Sequence, residues 1–183
     1  MKKTSTPIKN DLWTYRKKME FSQKRAAYLM GLRGTNTLSR YEHGKKLPSL
    51  INALKLEIVY RTPVAFLFSG LYDRLKKEVK DREEKLGFGK DKKSEKRKKS
   101  PRIKNDLFTY RKKMGLPQRR VAYLMGLKGT NSLSRYEHGK KLPSLENALR
   151  LEIIYHVPVA FLFGELYEEL KREIRKREGE VKS

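Results

Sequence analysis

Apolar residues recur along the chain at the spacing of α-helices, and no segment shows the alternation of a β-strand. Leu12, Tyr15 and Met19 fall on one face of a helix. Gly and Pro divide the pattern, which predicts helices over about 10–19, 23–30 and 35–44, with Ser22 as an N-cap. Pro48-Ser49 and Thr62-Pro63 begin a fourth and a short fifth helix. A last helix is predicted over about 71–85.

The pattern occurs twice. Residues 8–84 align without a gap with residues 103–179, and 55 of the 77 aligned pairs are identical. The stretch 31–50 differs from 126–145 only at Arg33/Lys128 and Thr37/Ser132. We therefore expect an all-α protein of two tandem domains, each with five to six helices. Two copies of one surface suggest a target that also repeats.

The segment KLGFGKDKKSEKRKKSPR (85–102) separates the two repeats. It is rich in Lys and nearly devoid of apolar residues, a composition typical of a flexible basic linker. A nuclear localisation signal would look similar. We place the first domain at 1–85, the linker at 86–102 and the second domain at 103–183.

The charge balance favours a polyanionic partner. The chain carries 45 Lys and Arg against 21 Asp and Glu, a formal net charge of +24. No apolar run approaches the ~20 residues of a membrane helix, and no apolar stretch follows the basic start as in a signal peptide. There is no Cys, which excludes disulfides and thiolate chemistry. These features predict a cytoplasmic protein (prokaryotic, viral or nucleoid-associated).

Two helices joined by a short Gly-containing turn form the helix-turn-helix pattern. The motif S-Q-x-x-A-A-x-x-M-G-L (22–32), then T-L-S-R-Y-E-H-G (37–44) and L-P-S-L (47–50), resembles the phage-repressor (Xre/Cro-like) helix-turn-helix family. The resemblance covers both repeats nearly whole and implies a lambda-repressor-like fold. The turn at Arg33-Gly34 is one residue longer than the common family form. The final helix and the tandem duplication lie outside the basic family pattern.

The resemblance implies that the third helix of each repeat enters the major groove of DNA. Arg and Asn can bind guanine and adenine in a bidentate way, and hydroxyls add adaptable contacts, which agrees with the residue types present. Thr35 could instead serve chiefly as a helix cap. The candidate base contacts are Thr35, Asn36, Thr37, Ser39, Arg40, Thr130, Asn131, Ser132, Ser134 and Arg135.

A second group of residues suits contacts with DNA phosphates, which position a protein without specifying sequence. The family commonly places a Gln at the start of the second helix against a phosphate. For His43 and His138 a helix-end role is the alternative, and metal ligation is disfavoured by the absence of a suitably spaced second ligand. The phosphate candidates are Gln23, Lys24, His43, Lys45, Lys46, Gln118, Arg119, His138, Lys140 and Lys141.

Two pairs of charged residues are expected to have a structural role. Arg16 and Glu42, and likewise Arg111 and Glu137, match family positions that form an internal ion pair, although Arg16 could instead contact phosphate. Leu38 and Tyr41 should face the core if Ser39 and Arg40 face outward. For Trp13 and Phe108, both core packing and surface shielding stay open.

The sequence predicts a sequence-specific double-stranded DNA-binding protein, a covalent pseudo-dimer that recognises two similar half-sites and acts as a transcriptional repressor. An antitoxin-like interaction module is the alternative, with Leu71, Leu75 and Val79, and Leu166, Leu170 and Ile174, as a surface for a protein partner or self-association. The same stripes could equally pack the two repeats on each other or pack within each repeat, and packing within each repeat is the favoured interpretation. A third possibility is architectural or RNA binding without sequence preference. No nucleophile–base set, P-loop or dinucleotide motif is present, so we expect neither an enzyme nor a cofactor.

Overall fold

The computed structural model describes residues 7–86 and 103–182, with side chains up to Glu180. Within these ranges the protein consists of helices, turns and loops, which confirms the all-α prediction. The linker predicted over 86–102 lies outside the described residues except for Leu86. The helices of the first repeat are α1 (Leu12–Lys18), α2 (Gln23–Leu29), α3 (Thr35–Glu42), α4 (Leu50–Tyr60), α5 (Val64–Leu67) and α6 (Ser69–Lys85).

The second repeat has the same succession of helices. They are α7 (Leu107–Lys113), α8 (Gln118–Leu124), α9 (Asn131–Glu137), α10 (Leu145–Tyr155), α11 (Val159–Leu162) and α12 (Gly164–Lys182). None of these helices is long and apolar enough to cross a membrane in the part of the chain that the structure describes.

Local chemistry explains where the helices begin and end. The hydroxyls of Ser22 and Ser49 accept hydrogen bonds from the third residue beyond each, Arg25 N at 3.1 Å and Asn52 N at 3.3 Å, as helix N-caps do. Gly44 follows α3 with a φ of +63°, a left-handed conformation that favours glycine. Its α-carbon also lies against the backbone of Ile8, where a Cβ would come within 2.3 Å of the Ile8 carbonyl oxygen.

The core of each repeat is built from the apolar faces that the spacing predicts. In the first repeat it includes Ala26, Leu29 and Met30 from α2, and Leu38 and Tyr41 from α3. Trp13 lies outside this core: its side chain is 56 % exposed, with the ammonium of Lys17 5.9 Å from the ring centre. Its counterpart Phe108 is half-buried.

The apolar stripe of the last helices is covered by the rest of the molecule. Leu71, Leu75 and Val79 on α6 are buried, as are Leu170 and Ile174 on α12, while Leu166 is half-buried. Such a stripe contributes to the protein's own core and is not free for a protein partner. The alternative that gave these residues a partner-binding surface therefore finds no support in the fold.

The chain forms two compact units whose boundaries lie inside α6 and α12. One unit combines the residues up to Asp73 with those from Leu170 onward, and the other holds Arg74–Glu169. The start of each last helix thus belongs with its own repeat, and its remaining turns belong with the other repeat. The predicted boundaries at residues 85 and 103 stay a prediction about which fragments fold independently.

Candidate nucleic-acid interface

The third helix of each repeat, α3 or α9, is the predicted recognition helix, and α3 has one buried and one exposed face. Leu38 and Tyr41 are 0 % and 3 % exposed, which anchors the helix on the core. Asn36 and Arg40 are exposed, whereas Thr35, Thr37 and Ser39 are half-buried. The N-cap is Gly34, and no side chain caps the helix there, so Thr35 is the first helical residue and not its cap.

The second recognition helix, α9, repeats this arrangement with one difference at its start. Asn131, Ser132 and Arg135 are exposed and Ser134 is half-buried, while Leu133 and Tyr136 are buried. Here Thr130 itself occupies the N-cap position, but its side chain makes no cap hydrogen bond. The side chains with the best base-binding chemistry, Asn and Arg, therefore stand on the exposed face of both helices.

A bidentate ion pair fixes α3 against α1. Arg16 Nε donates to Glu42 Oε1 at 2.6 Å, and Arg16 Nη2 donates to Glu42 Oε2 at 3.1 Å. The third guanidinium nitrogen, Nη1, donates to the carbonyl oxygen of Phe21 at 3.0 Å. The two side chains are 7 % and 2 % exposed. The hydrogen bond to Glu42 raises the pKa of Arg16, which favours the charged guanidinium.

Gln23 joins this ion pair from the first residue of α2. Its amide Nε2 donates to Glu42 Oε2 at 2.9 Å, so the carboxylate holds both the recognition helix and the helix before it. A role for Gln23 in binding phosphate stays a prediction. The second N–H of the amide would have to donate to the phosphate, because the first donates to Glu42.

The second repeat contains the same cluster, buried more deeply. Arg111 Nε and Nη2 donate to the two carboxylate oxygens of Glu137 at 2.6 and 3.0 Å, and Gln118 Nε2 donates to Oε2 at 3.0 Å. Arg111 Nη1 donates to the carbonyl oxygen of Leu116 at 3.1 Å. Both charged side chains are 1 % exposed.

An Asn that the sequence reasoning missed also holds each recognition helix. Asn10 Nδ2 donates to the carbonyl oxygen of Tyr41, in the last turn of α3, at 3.0 Å. Asn105 makes the same bond to Tyr136 at 3.0 Å. The Tyr41 oxygen also accepts from Gly44 N at 2.9 Å and the Tyr136 oxygen from Gly139 N at 2.9 Å, so each amide is a second donor to a carbonyl at the helix end. The feature of the sequence that could have indicated this role is the identical Ile-Lys-Asn-Asp at the start of both repeats.

Among the other predicted phosphate contacts, the two His side chains bond to the recognition helices themselves. His43 Nδ1 lies 2.7 Å from the carbonyl oxygen of Ser39, and His138 Nδ1 lies 2.7 Å from that of Ser134. This geometry agrees with the helix-end alternative for both residues. The cations Lys24, Lys45, Lys46, Arg119, Lys140 and Lys141 are all exposed.

Comparison with known families agrees with this geometry. A Helix-turn-helix family model of the Xre/Cro-like type matches residues 14–67 and, a second time, residues 107–162. The chain belongs to this helix-turn-helix family. The two matches indicate a DNA-binding protein of the kind typical of transcription regulators. No curated protein and no solved structure matches the chain.

Proposed function

We propose that this helix-turn-helix protein binds double-stranded DNA carrying two similar half-sites and acts as a transcriptional repressor by occupying them. One observation carries the proposal: α3 and α9 each present an exposed Asn and an exposed Arg four positions later, Asn36 and Arg40 in one and Asn131 and Arg135 in the other. Because the two exposed faces are nearly identical, the two half-sites should be nearly identical too. For helix-turn-helix dimers such half-sites lie ~34 Å apart or a multiple of that.

The exposed side chains suit contacts with base edges in the major groove. A guanidinium such as that of Arg40 can donate to guanine O6 and N7 together, and the Asn36 amide can pair with adenine N6 and N7. The half-buried hydroxyls of Thr37 and Ser39 are less accessible and would add single hydrogen bonds or a methyl contact. We therefore assign most of the specificity to Asn36, Arg40 and their counterparts Asn131 and Arg135.

The charge distribution supports a second, sequence-independent component of binding. Exposed Lys and Arg residues adjoin each recognition helix, and the whole chain carries a formal net charge of +24. Cations that neutralise phosphates release counterions and make the affinity depend on salt concentration. A protein with both components should discriminate among sequences and also bind any duplex weakly at low salt.

Substitutions of the two exposed Arg residues test the proposal. Arg40→Ala and Arg135→Ala should each cost ~1–3 kcal/mol of binding free energy if each Arg makes a bidentate base contact. The measurement is a titration, at fixed salt, against a duplex selected from random sequences and against its scrambled form. The double variant should bind both duplexes with similar affinity.

Arg40→Lys separates base recognition from charge. A Lys keeps the positive charge but cannot form the planar two-point contact, so it should lose preference for the selected duplex and keep affinity for the scrambled one. If Arg40→Lys retains the full preference, Arg40 contacts phosphate and not a base. If Arg135→Ala leaves specific binding intact while Arg40→Ala abolishes it, only the first repeat recognises DNA.

A further inference from the structure

The end of α2, just before the turn that leads to the recognition helix, has a donor for each of its carbonyl oxygens. Ala27 O accepts from Leu32 N at 2.9 Å and Tyr28 O accepts from Gly31 N at 2.8 Å, the pattern of a glycine helix stop. Met30 O accepts from Lys55 Nζ at 3.1 Å. Leu29 O accepts from the guanidinium of Arg177, through Nη1 at 3.3 Å.

The corresponding turn after α8 is held in the same way. Gly126 N donates to Tyr123 O at 2.8 Å and Leu127 N donates to Ala122 O at 2.9 Å. Leu124 O accepts from Arg82 Nη1 at 3.2 Å. Arg82 and Arg177 are equivalent positions of the two repeats, 95 residues apart.

Each Arg comes from the repeat that does not contain the turn it holds. Arg82 lies on α6 of the first repeat and bonds the α8 end in the second. Arg177 lies on α12 of the second repeat and bonds the α2 end in the first. The two contacts are therefore crossed with respect to the sequence, and each falls within one compact unit.

The glycine in each turn leaves room for the guanidinium. Gly31 and Gly126 have φ angles of +69° and +72°, which favour glycine. A Cβ at Gly31 would lie 2.9 Å from Arg177 Nη2, and one at Gly126 would lie 2.8 Å from Arg82 Nη2. The bare α-carbon thus permits both the left-handed turn and the close approach of the Arg.

An acidic residue one helical turn earlier orients each Arg. Arg82 Nη2 lies 3.4 Å from Glu78 Oε2, which also accepts from Arg150 Nη2 at 2.9 Å. Arg177 Nη2 lies 3.7 Å from Glu173 Oε2, which lies 3.7 Å from Lys55 Nζ. The carboxylate thus links the last helix to α10 or α4 and holds the Arg near the turn.

We propose that Arg82 and Arg177 are positioning residues for DNA recognition, each acting on the recognition helix of the other repeat. By fixing the carbonyl of Leu124, the last residue of α8, Arg82 sets the direction in which α9 leaves α8, and Arg177 does the same for α3 through Leu29 of α2. The first repeat cannot present its recognition helix correctly without the last helix of the second, and the reverse holds as well. The inference rests on the DNA-binding function proposed above.

Amide hydrogen exchange of the full-length protein tests the crossed contact without DNA. Arg82→Ala should speed exchange of the Gly126 and Leu127 amides roughly tenfold, as expected for a turn that loses a hydrogen bond from a charged donor. The Gly31 and Leu32 amides should exchange as in wild type. Lys77→Ala removes an exposed charge from the same helix and should change neither turn.

Arg177→Ala should give the mirror result, with faster exchange at Gly31 and Leu32 alone. Arg82→Lys, which keeps one donor, should restore much of the protection at Gly126 and Leu127. Equal acceleration at both turns, acceleration at the turn of the same repeat, or an equal effect of Lys77→Ala would overturn the proposal, because each result denies the specific crossed contact.

A DNA titration supplies the functional readout. Because the two half-sites are nearly identical, Arg82→Ala is combined with Arg40→Ala and, separately, with Arg135→Ala. Arg82→Ala should weaken sequence preference roughly tenfold in the Arg40→Ala background, where recognition depends on α9, and should add little in the Arg135→Ala background. If wild type discriminates but Arg82→Ala adds its loss in the Arg135→Ala background, or in both backgrounds alike, only the crossed positioning is wrong. If wild type shows no sequence preference, the proposed function fails and this inference fails with it.

Discussion

In the first repeat Ser22 caps α2 through its hydroxyl, whereas in the second Pro117 stands at the start of α8 and supplies no side-chain cap. Lys55 approaches Glu173 to 3.7 Å, whereas its counterpart Arg150 bonds Glu78 at 2.9 Å. The clusters behind the two recognition helices, by contrast, have the same partners and nearly the same distances. The repeats thus differ at a helix cap and in the ion pairs of the last helices, and agree in the clusters that fix each recognition helix against the two helices before it.

The difference shows that equivalent positions can reach similar stability by different means. A Ser cap satisfies a backbone N–H of the first turn, while a Pro fixes its own φ in advance. An Arg forms directional bonds to a carboxylate, while a Lys acts as a point charge. The recognition helix has no such latitude, because the Arg and the Gln share one Glu carboxylate and the Asn holds the carbonyl of the residue before that Glu.

The largest effect is expected from breaking the buried ion pairs. Glu137→Ala and Glu42→Ala each leave a buried Arg without its partner, which should cost about 3–5 kcal/mol of unfolding free energy. Glu137→Ala should cost at least as much, because Arg111 is 1 % exposed and Arg16 7 %. Chemical denaturation measures both, and the exposed substitutions Arg40→Ala and Arg135→Ala should unfold like wild type. Wild-type stability of Glu137→Ala would show that the pair is not buried.

A smaller effect should follow from the helix caps. Ser22→Ala removes the acceptor for Arg25 N and should cost about 1 kcal/mol. Pro117→Ser places a capping residue at the equivalent position of the second repeat, so it should preserve the start of α8. The test is denaturation of the two variants, with Ser49→Ala as a second cap removal. A Ser22→Ala variant as stable as wild type would mean that the hydroxyl of Ser22 contributes little.

The smallest effect should distinguish the two acidic residues on the last helices. Glu78→Gln should destabilise by less than about 1 kcal/mol, because the network is partly exposed, and Glu173→Gln by less still, since its distances to cations are longer. A Glu173→Gln variant less stable than Glu78→Gln would contradict this order.

The contribution of Glu78 should also depend on pH. Burial raises the pKa of Glu78, but the hydrogen bond from Arg150 and the charges of Arg150, Arg74 and Arg82 outweigh it and lower the pKa below its ordinary value. The stability from the ionised carboxylate is therefore present at neutral pH and is lost as the pH falls through the lowered pKa of the folded state. The unfolding free energies of wild type and Glu78→Gln, measured by denaturation, should become equal in acid. A difference in unfolding free energy that stays constant across the acid range would show that the contact is not ionic.

Much of the fold followed from the sequence because apolar spacing and helix punctuation act locally. Ser22, Ser49 and Gly44 lie at helix ends as expected, and Leu38 and Tyr41 are buried as expected. The sequence did not indicate which repeat the last helix packs against. The stripe of Leu71, Leu75 and Val79 predicts a buried face, but two nearly identical repeats offer nearly identical surfaces for it to cover. Arg82 and Arg177 were likewise two among many charged residues, with no local pattern to single them out.

The crossed contacts also have a consequence during protein synthesis. Arg177 meets Leu29 across 148 positions of the chain, so the first unit lacks its closing helix until the ribosome has passed residue 177. Contacts of such long sequence separation slow folding because a large loop must close first. Until then the nascent first repeat exposes the apolar surface that Leu170 and Ile174 later bury. A chaperone that binds apolar segments should engage this nascent chain until α12 has been synthesised.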